Sequence, residues 1–208
     1  MSPIKRSNVT PDYGWNERAG RYVNLSTGRF VTNSQIKGAL EGMVDASKRN
    51  INGLSQSLLD GDITLAEWRA SMMAEIKTMH TAAAAAKRGG WVQMSQSDWG
   101  WTGSKIKAQY QYLERFAQQI LDGAQKLDGR VLTRANLYGM AQRGTFEEMG
   151  RRLAFNAGYT EERRVLGAAE HCEGCVEQAG QGWQPLGTLD PIGGEECRTN
   201  CQCEFEYR

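Results

Sequence analysis

The first 171 residues of this chain of 208 contain no cysteine, and the whole chain has only two histidines and four prolines. With so few histidines, the sequence gives no support to a Ser-His-Asp catalytic set. No run of about 18 apolar residues occurs, so we predict no membrane-spanning helix and no membrane partner. The N-terminal residues lack the apolar core of a secretory signal. We therefore expect a reducing compartment, where clustered cysteines bind metal more often than they form disulfides.

Charge is unevenly divided along the chain, although the formal net charge is only +1. Residues 1–160 carry 21 Lys and Arg against 14 Asp and Glu, a balance of +7. Residues 161–208 carry 4 against 10, a balance of −6. Because nucleic-acid binding needs basic residues near the phosphates, the acidic C-terminal part argues against that role for the segment.

The N-terminal residues 1–33 mix aromatic and turn-forming residues and predict a short β-hairpin. Alternating runs around Tyr22 and Phe30 flank Ser26-Thr27-Gly28, and the glycine can take the left-handed conformation of a tight turn. An isolated hairpin is marginally stable in water. We expect this segment to be an arm that docks on the body or on a neighbouring molecule.

Residues 34–160 have helical periodicity and predict a body of about five helices, so the expected fold class is mainly α, a helical bundle. Thr64-x-x-Glu67 predicts a capping box that opens one helix, which should end near Gly89. Residues 91–103, with three tryptophans, are predicted to form a loop. Thr145-x-x-Glu148 predicts another capping box and therefore the start of a further helix.

All five cysteines lie in residues 161–208, which we expect to form a small zinc-knuckle-like β module. Two half-sites, C-x-x-C and C-x3-C-x-C, are typical of tetrahedral Zn²⁺ coordination. The glycine-rich segment between them has little material for a core, so ion binding would supply folding energy. Disulfides or free thiols are the alternative, and an odd number of cysteines weakens a complete disulfide scheme. Zinc takes four ligands from six candidates, with the first four preferred: Cys172, Cys175, Cys197, Cys201, Cys203 and His171.

A catalytic metal is the least favoured alternative for this segment. His171-Cys172-Glu173 matches the H-x-E of the zinc deaminases, and Cys197-x3-Cys201 loosely matches their P-C-x-x-C. The second half lacks the proline and has one residue too many. A catalytic ion also needs an open coordination position, whereas this set has more thiolates than it needs. We therefore predict that the chain is not an enzyme, with a zinc-dependent hydrolase or deaminase kept as an alternative.

The order of these elements resembles the phage head morphogenesis proteins, the minor capsid proteins similar to protein F of phage Mu. The likeness covers about residues 55–208. Where the family typically has H-x-x-C-R-C, Cys197 takes the place of the histidine and Gln202 that of the arginine. The segments that carry the likeness, besides the helical body and the cysteine tail, are Arg134-Ala-Asn-Leu-Tyr138, Thr145-Phe-Glu147 and Arg163-Arg-Val-Leu-Gly167.

The resemblance implies a low-copy structural protein of a tailed-phage head, made in the host cytoplasm and located in the virion. It would act in head assembly or DNA delivery near the portal and carry a structural zinc site. The implied partners are the portal and the major capsid protein, with packaged DNA and self-association within the virion left open. A zinc-stapled module that binds nucleic acid is the main alternative. Aromatic residues expected to contact partners are Tyr22, Phe30, Trp91, Trp99 and Trp101.

Overall fold

A computed structural model describes residues 4–6 and 10–208, so positions 1–3 and 7–9 of the predicted arm lie outside the described residues. The chain is mainly helical, with a small antiparallel sheet near each end, which confirms the predicted fold class. Among the described helices, none has the length and apolar character needed to cross a bilayer. The elements are β1 (Ile4–Arg6), β2 (Tyr13–Asn16), β3 (Arg21–Asn24), α1 (Asn33–Asp60), α2 (Leu65–Arg88), α3 (Gln96–Leu121), α4 (Gly129–Asn156), β4 (Glu161–Val165), α5 (Glu173–Gly180), β5 (Gln184–Pro185) and β6 (Glu204–Tyr207), with 3-10 turns at Trp91–Gln93 and Arg198–Asn200.

The boundaries of α2 are those that the sequence predicts. Thr64 accepts a hydrogen bond from the Glu67 amide, and the Glu67 carboxylate accepts one from the Thr64 amide, which completes the capping box. The helix ends at Gly89, whose φ of 110° lies in the left-handed region that favours glycine. Local capping chemistry therefore determines both ends of this helix.

The predicted tryptophan loop at residues 91–103 is wrong for most of its length. Ser95 and Asp98 form a capping box that opens α3, so Trp99 and Trp101 are helical. The predicted helix start at Thr145 is also wrong, because α4 runs through it without a break. The body thus contains four long helices rather than about five.

Because Thr145 lies inside the continuous helix α4, it caps no helix, and its hydroxyl meets a buried partner on α2. Its Oγ1 lies 2.6 Å from Nδ1 of His80, which is only 1% exposed. Burial, together with the positive charge of Lys105, lowers the pKa of His80 from 6.5 to about 4. His80 is consequently a neutral, packed side chain at the contact between α2 and α4.

The core of the body is built from aromatic and methionine side chains of α2, α3 and α4. Trp68 is fully buried and donates through Nε1 to Ser55 Oγ at 3.1 Å. Its ring meets Phe116 edge-on at a centroid distance of 5.4 Å, and Phe116 stacks on Tyr138 at 6.5 Å. These aromatic rings therefore lie at the centre of the bundle.

The N-terminal sheet differs from the predicted hairpin. Its strands are β1, β2 and β3 in sequential antiparallel order, and the predicted pairing of the Tyr22 and Phe30 runs is reduced to one bridge, between Val23 and Phe30. This arm docks on the body: the Tyr22 hydroxyl donates to the Ala86 carbonyl at 2.7 Å. The Trp15 ring covers Gly89 so closely that an added Cβ would lie 2.4 Å from it.

We predict that His80 makes the stability of the protein depend on pH below neutrality. The unfolded histidine takes up a proton near 6.5 and the folded one only near 4, so stability falls as pH falls through that window. From about pH 7 to about pH 5 the loss should be about 2 kcal/mol. Urea unfolding of the wild type and of His80→Gln at both pH values measures it.

The difference between the two proteins isolates the histidine, because every other titrating group contributes equally to both. The His80→Gln variant should lose about 2 kcal/mol less than the wild type over the same interval. An identical pH dependence in the two proteins would show that His80 is not held neutral by burial.

Candidate metal centre

The C-terminal module is organised around β4, the central strand of a sheet in the order β5-β4-β6. Cys172 is the N-cap of α5 and Cys175 lies in its first turn, which brings both sulfurs to the same helix end. Cys197 and Cys201 flank the 3-10 turn Arg198–Asn200, and Cys203 directly precedes β6. Cys201 and Cys203 both lie outside the strand and are buried.

The five sulfurs form two triads that share Cys175. In each triad, Cys172/Cys175/Cys197 and Cys175/Cys201/Cys203, the sulfurs lie within 4.8 Å of one another. Cys175 Sγ is 3.5 Å from Cys197 Sγ and 3.7 Å from Cys201 Sγ, and no cysteine forms a disulfide. Tetrahedral coordination with metal–sulfur bonds of about 2.3 Å places sulfurs about 3.8 Å apart. The cluster can therefore hold a metal ion.

His171 lies beside the cluster but outside both triads. Its Nδ1 is 3.9 Å from Cys203 Sγ, and its Nε2 is 2.9 Å from the Gly167 carbonyl. A proton on Nε2 would be donated to that carbonyl, leaving Nδ1 as the acceptor that faces Cys203. Hydrogen bonding of the remote ring nitrogen to a carbonyl is also how metal-ligating histidines are oriented. His171 is thus placed as an alternative ligand next to Cys203.

The thiols of the cluster influence one another's protonation. A hydrogen bond from Cys203 lowers the pKa of the Cys201 thiol to about 4. Burial raises the pKa of the Cys197 thiol, and the hydrogen bond to Cys201 raises that of Cys203. The protein alone therefore favours few thiolates in this crowded space. A bound cation would favour the remaining thiolates, which couples binding to proton release.

Arg164, which the sequence analysis missed, places a buried positive charge beside the sulfurs. It is 2% exposed, and its Nη1 donates to Cys175 Sγ at 3.3 Å. Its Nη2 donates to the Asp190 carbonyl at 2.5 Å, which ties the cysteine cluster to the glycine-rich loop. A guanidinium here stabilises thiolate charge on the shared cysteine. The available signal was strand alternation, which directs Arg164 to the same side as Glu162.

Glu162 fastens the glycine-rich loop to the helical body. This fully buried carboxylate accepts from Arg151 Nε at 2.7 Å and from the amides of Gly187 and Leu189 at 3.0 and 3.2 Å. Arg151 belongs to α4 and also donates to the Leu189 carbonyl at 3.0 Å. A paired, fully hydrogen-bonded carboxylate of this kind avoids the high cost of an isolated buried charge. The module is therefore packed on α4.

The aromatic residues predicted to contact partners divide into two groups. Phe30, Trp91 and Trp99 are 47%, 42% and 40% exposed. Tyr22 is 3% exposed and bonded to the body, so its assignment as a partner contact is wrong. Trp101 is half-buried against a small cluster of alanines and methionines, so most of its ring is used within the chain.

Comparison with known protein families, curated proteins and solved structures finds no match to any of them. Fold and site by themselves define a class: a mainly helical protein whose C-terminal cysteine cluster can hold a metal ion.

We predict that Arg164→Met lowers metal affinity about 10-fold to 100-fold, as loss of a group that supports metal ligands typically does. Competition with a metal-binding dye measures the affinity. Arg163→Met is the matched control, because Arg163 is exposed and pairs with Glu206 on the outer face of the sheet. Equal affinity of both variants and the wild type would show that the guanidinium does not support the ligands.

Proposed function

We propose that this chain is a structural minor head protein of a tailed bacteriophage, acting in head assembly or DNA delivery near the portal, and that its cysteine cluster holds structural Zn²⁺. The observation that carries the metal part is the meeting of five sulfurs around Cys175. The assignment to a virion is supported by the sequence resemblance to phage head morphogenesis proteins, whose helical body and cysteine tail correspond to this architecture.

Zinc is the metal that best fits this donor set. All first-choice donors are cysteine sulfurs, and the distances from Cys175 Sγ to Cys197 Sγ and Cys201 Sγ, 3.5 and 3.7 Å, suit a tetrahedral ion. The preferred ligands are Cys172, Cys175, Cys197 and Cys201, with Cys203 and His171 as substitutes at the same cluster. Cys175 belongs to both triads, so we place it in every ligand set.

Burial of the cluster favours a structural ion over a catalytic one. Cys175, Cys201 and Cys203 are 1%, 3% and 3% exposed, so the shared side of the cluster is closed to substrate. Four thiolates would complete the coordination of zinc and leave no position for water. The ion's role would be to supply the folding energy that the glycine-rich segment lacks.

Removal of the shared cysteine tests the zinc assignment. Purified wild-type protein should contain about one zinc per chain, and Cys175→Ser should lose it because every ligand set includes that sulfur. Metal analysis measures the zinc, and limited proteolysis should show cleavage within residues 161–208 in the variant while most helical circular dichroism remains. Cys203→Ser is the matched control and should keep its zinc. A zinc-free wild type that resists both chelator and protease would contradict the proposal.

The module would act in assembly as a rigid part of the body. Arg143 of α4 donates to the Thr199 carbonyl at 3.4 Å, between two of the cysteines, and also pairs with Glu41 of α1 at 2.5 Å. The exposed rings of Trp91 and Trp99 offer the kind of aromatic anchor that dominates protein interfaces. A fixed body with exposed aromatic rings suits contacts with portal or capsid subunits.

Co-purification tests the assembly role. Co-expressed with the portal and major capsid proteins of its own phage, the chain should remain in portal complexes or procapsids through sizing and gradient steps. Trp99→Ala should lower its occupancy at least tenfold if the ring is an interface anchor, the usual cost of truncating such a residue being 2 kcal/mol or more, roughly. Tyr159→Ala, which removes another exposed ring, should leave occupancy unchanged. Absence of the chain from every particle would contradict the proposal.

A further inference from the structure

A cleft of about 550 Å³ lies between α3, α4 and the loop that joins Cys197 to Cys201. Three arginines line it, one from each of these elements: Arg115, Arg134 and Arg198. Of the residues that the structure describes, those lining the cleft include no Asp or Glu. The cleft therefore concentrates positive charge, and one of its charges comes from the otherwise acidic C-terminal part.

The three guanidinium groups of the cleft contact no carboxylate of the residues that the structure describes. Several other arginines do pair with one, as Arg69 does with Glu114. Within residues 4–6 and 10–208, no carboxylate lies within ion-pair distance of the three cleft arginines. The three positive charges therefore have no charged partner within the described chain, and they are available to an anion from solution.

Neighbouring side chains hold two of these guanidinium groups in place. Arg115 lies over the Tyr112 ring at 4.8 Å, and Arg134 lies over the Phe116 ring at 4.1 Å. Arg134 Nη1 also donates to the neutral Gln119 side chain at 2.6 Å. Contacts of this kind reduce the motion of the side chain and keep its charge available.

The positive charges of Arg115 and Arg134 both act on the buried Tyr138 hydroxyl. Burial raises its pKa to about 12, while the charges of Arg134 and Arg115 act in the opposite direction. Both guanidinium groups are thus close enough to influence the same phenol. An anion that entered the cleft would meet both.

Arg198 has the only left-handed conformation among the described residues other than glycine, with a φ of 46°. Such a conformation costs on the order of 1 kcal/mol or more and persists only when the surroundings impose it. Here Cys197 and Cys201 flank the turn, and both belong to the sulfur cluster. The cluster therefore fixes the backbone from which Arg198 reaches into the cleft.

We propose that this arginine cleft binds phosphate groups of a nucleotide or of a nucleic-acid strand. Arginine forms paired, charge-assisted hydrogen bonds with phosphate oxygens, and three of them suit successive or clustered phosphates. The volume is in the range of small-molecule sites. Tyr112, 54% exposed at the rim, offers a ring on which a base can stack.

Fluorescence anisotropy with a labelled single-stranded oligothymidylate tests the cleft with the purified chain. If three phosphates are neutralised, log affinity should fall with log salt at a slope of about −2. Arg115→Gln or Arg198→Gln should each weaken binding roughly tenfold and reduce the slope by about 0.7. Arg49→Gln is the matched control, since it removes the same charge from an exposed position of α1 outside the cleft.

Direct calorimetric titration with ATP and pyrophosphate, and their competition and that of polyglutamate against the labelled strand, identify the source of the anion. If ATP or pyrophosphate binds in the titration while the strand does not, and the cleft variants weaken that binding, the site takes a free nucleotide. If the strand binds with the same losses in the variants, the site takes nucleic acid. Either result supports a phosphate site. Polyglutamate displacing the strand as well as ATP does would overturn the proposal.

The proposal is also overturned if no phosphate ligand binds at low salt, or if the cleft variants behave as Arg49→Gln does. Arg115→Gln keeps the test informative if Arg198→Gln disturbs the cysteine loop, because Arg115 is an exposed residue of α3. The measurement needs neither capsid proteins nor particles. Its failure would leave the assembly role to be decided by its own experiment.

Discussion

The contact of five sulfurs around Cys175 is the constraint on which the C-terminal quarter of the chain depends. Apart from the cysteines, the buried apolar residues of this module are few: Leu189, Ile192 and Phe205. So small an apolar surface contributes little toward the conformational entropy of a glycine-rich segment. A bound ion that cross-links the sulfurs would lower the conformational entropy of the unfolded segment and so favour the folded one. The 3-10 turn that carries Arg198 lies between two of these sulfurs, Cys197 and Cys201.

Buried charged side chains connect the cysteine cluster to the helical body. Arg164 contacts Cys175 and the loop, while Glu162 from the same strand accepts a hydrogen bond from Arg151 of α4. Each charged group has several partners, which is the condition under which burial of charge is tolerated. The cysteine cluster, the loop and α4 therefore form one connected network. Displacement of one part would leave buried charges unpaired in another.

Local sequence patterns predicted well the features that depend on neighbouring residues. Thr64 and Glu67 opened a helix where expected because a capping box satisfies its own backbone amides. The same pattern at Thr145 gave a wrong prediction, because a threonine caps a helix only where a helix begins, and α4 is continuous through Thr145. The Thr145 hydroxyl instead contacts His80, which is distant in sequence. Ser95-x-x-Asp98 was a usable pattern that was overlooked.

By itself the sequence determined the mainly helical class, the ends of α2 and the set of cysteines able to meet a metal, because capping, periodicity and ligand chemistry are properties of nearby residues. Only the tertiary structure decided that Cys175 is the shared sulfur, that Tyr22 is an internal contact, and that Arg164 faces the cluster. It also brought Arg115, Arg134 and Arg198 to one cleft, although the sequence places Arg198 in an acidic segment. The reason is physical: net charge adds along a chain, whereas the electrostatic field at a site depends on which side chains the fold places there.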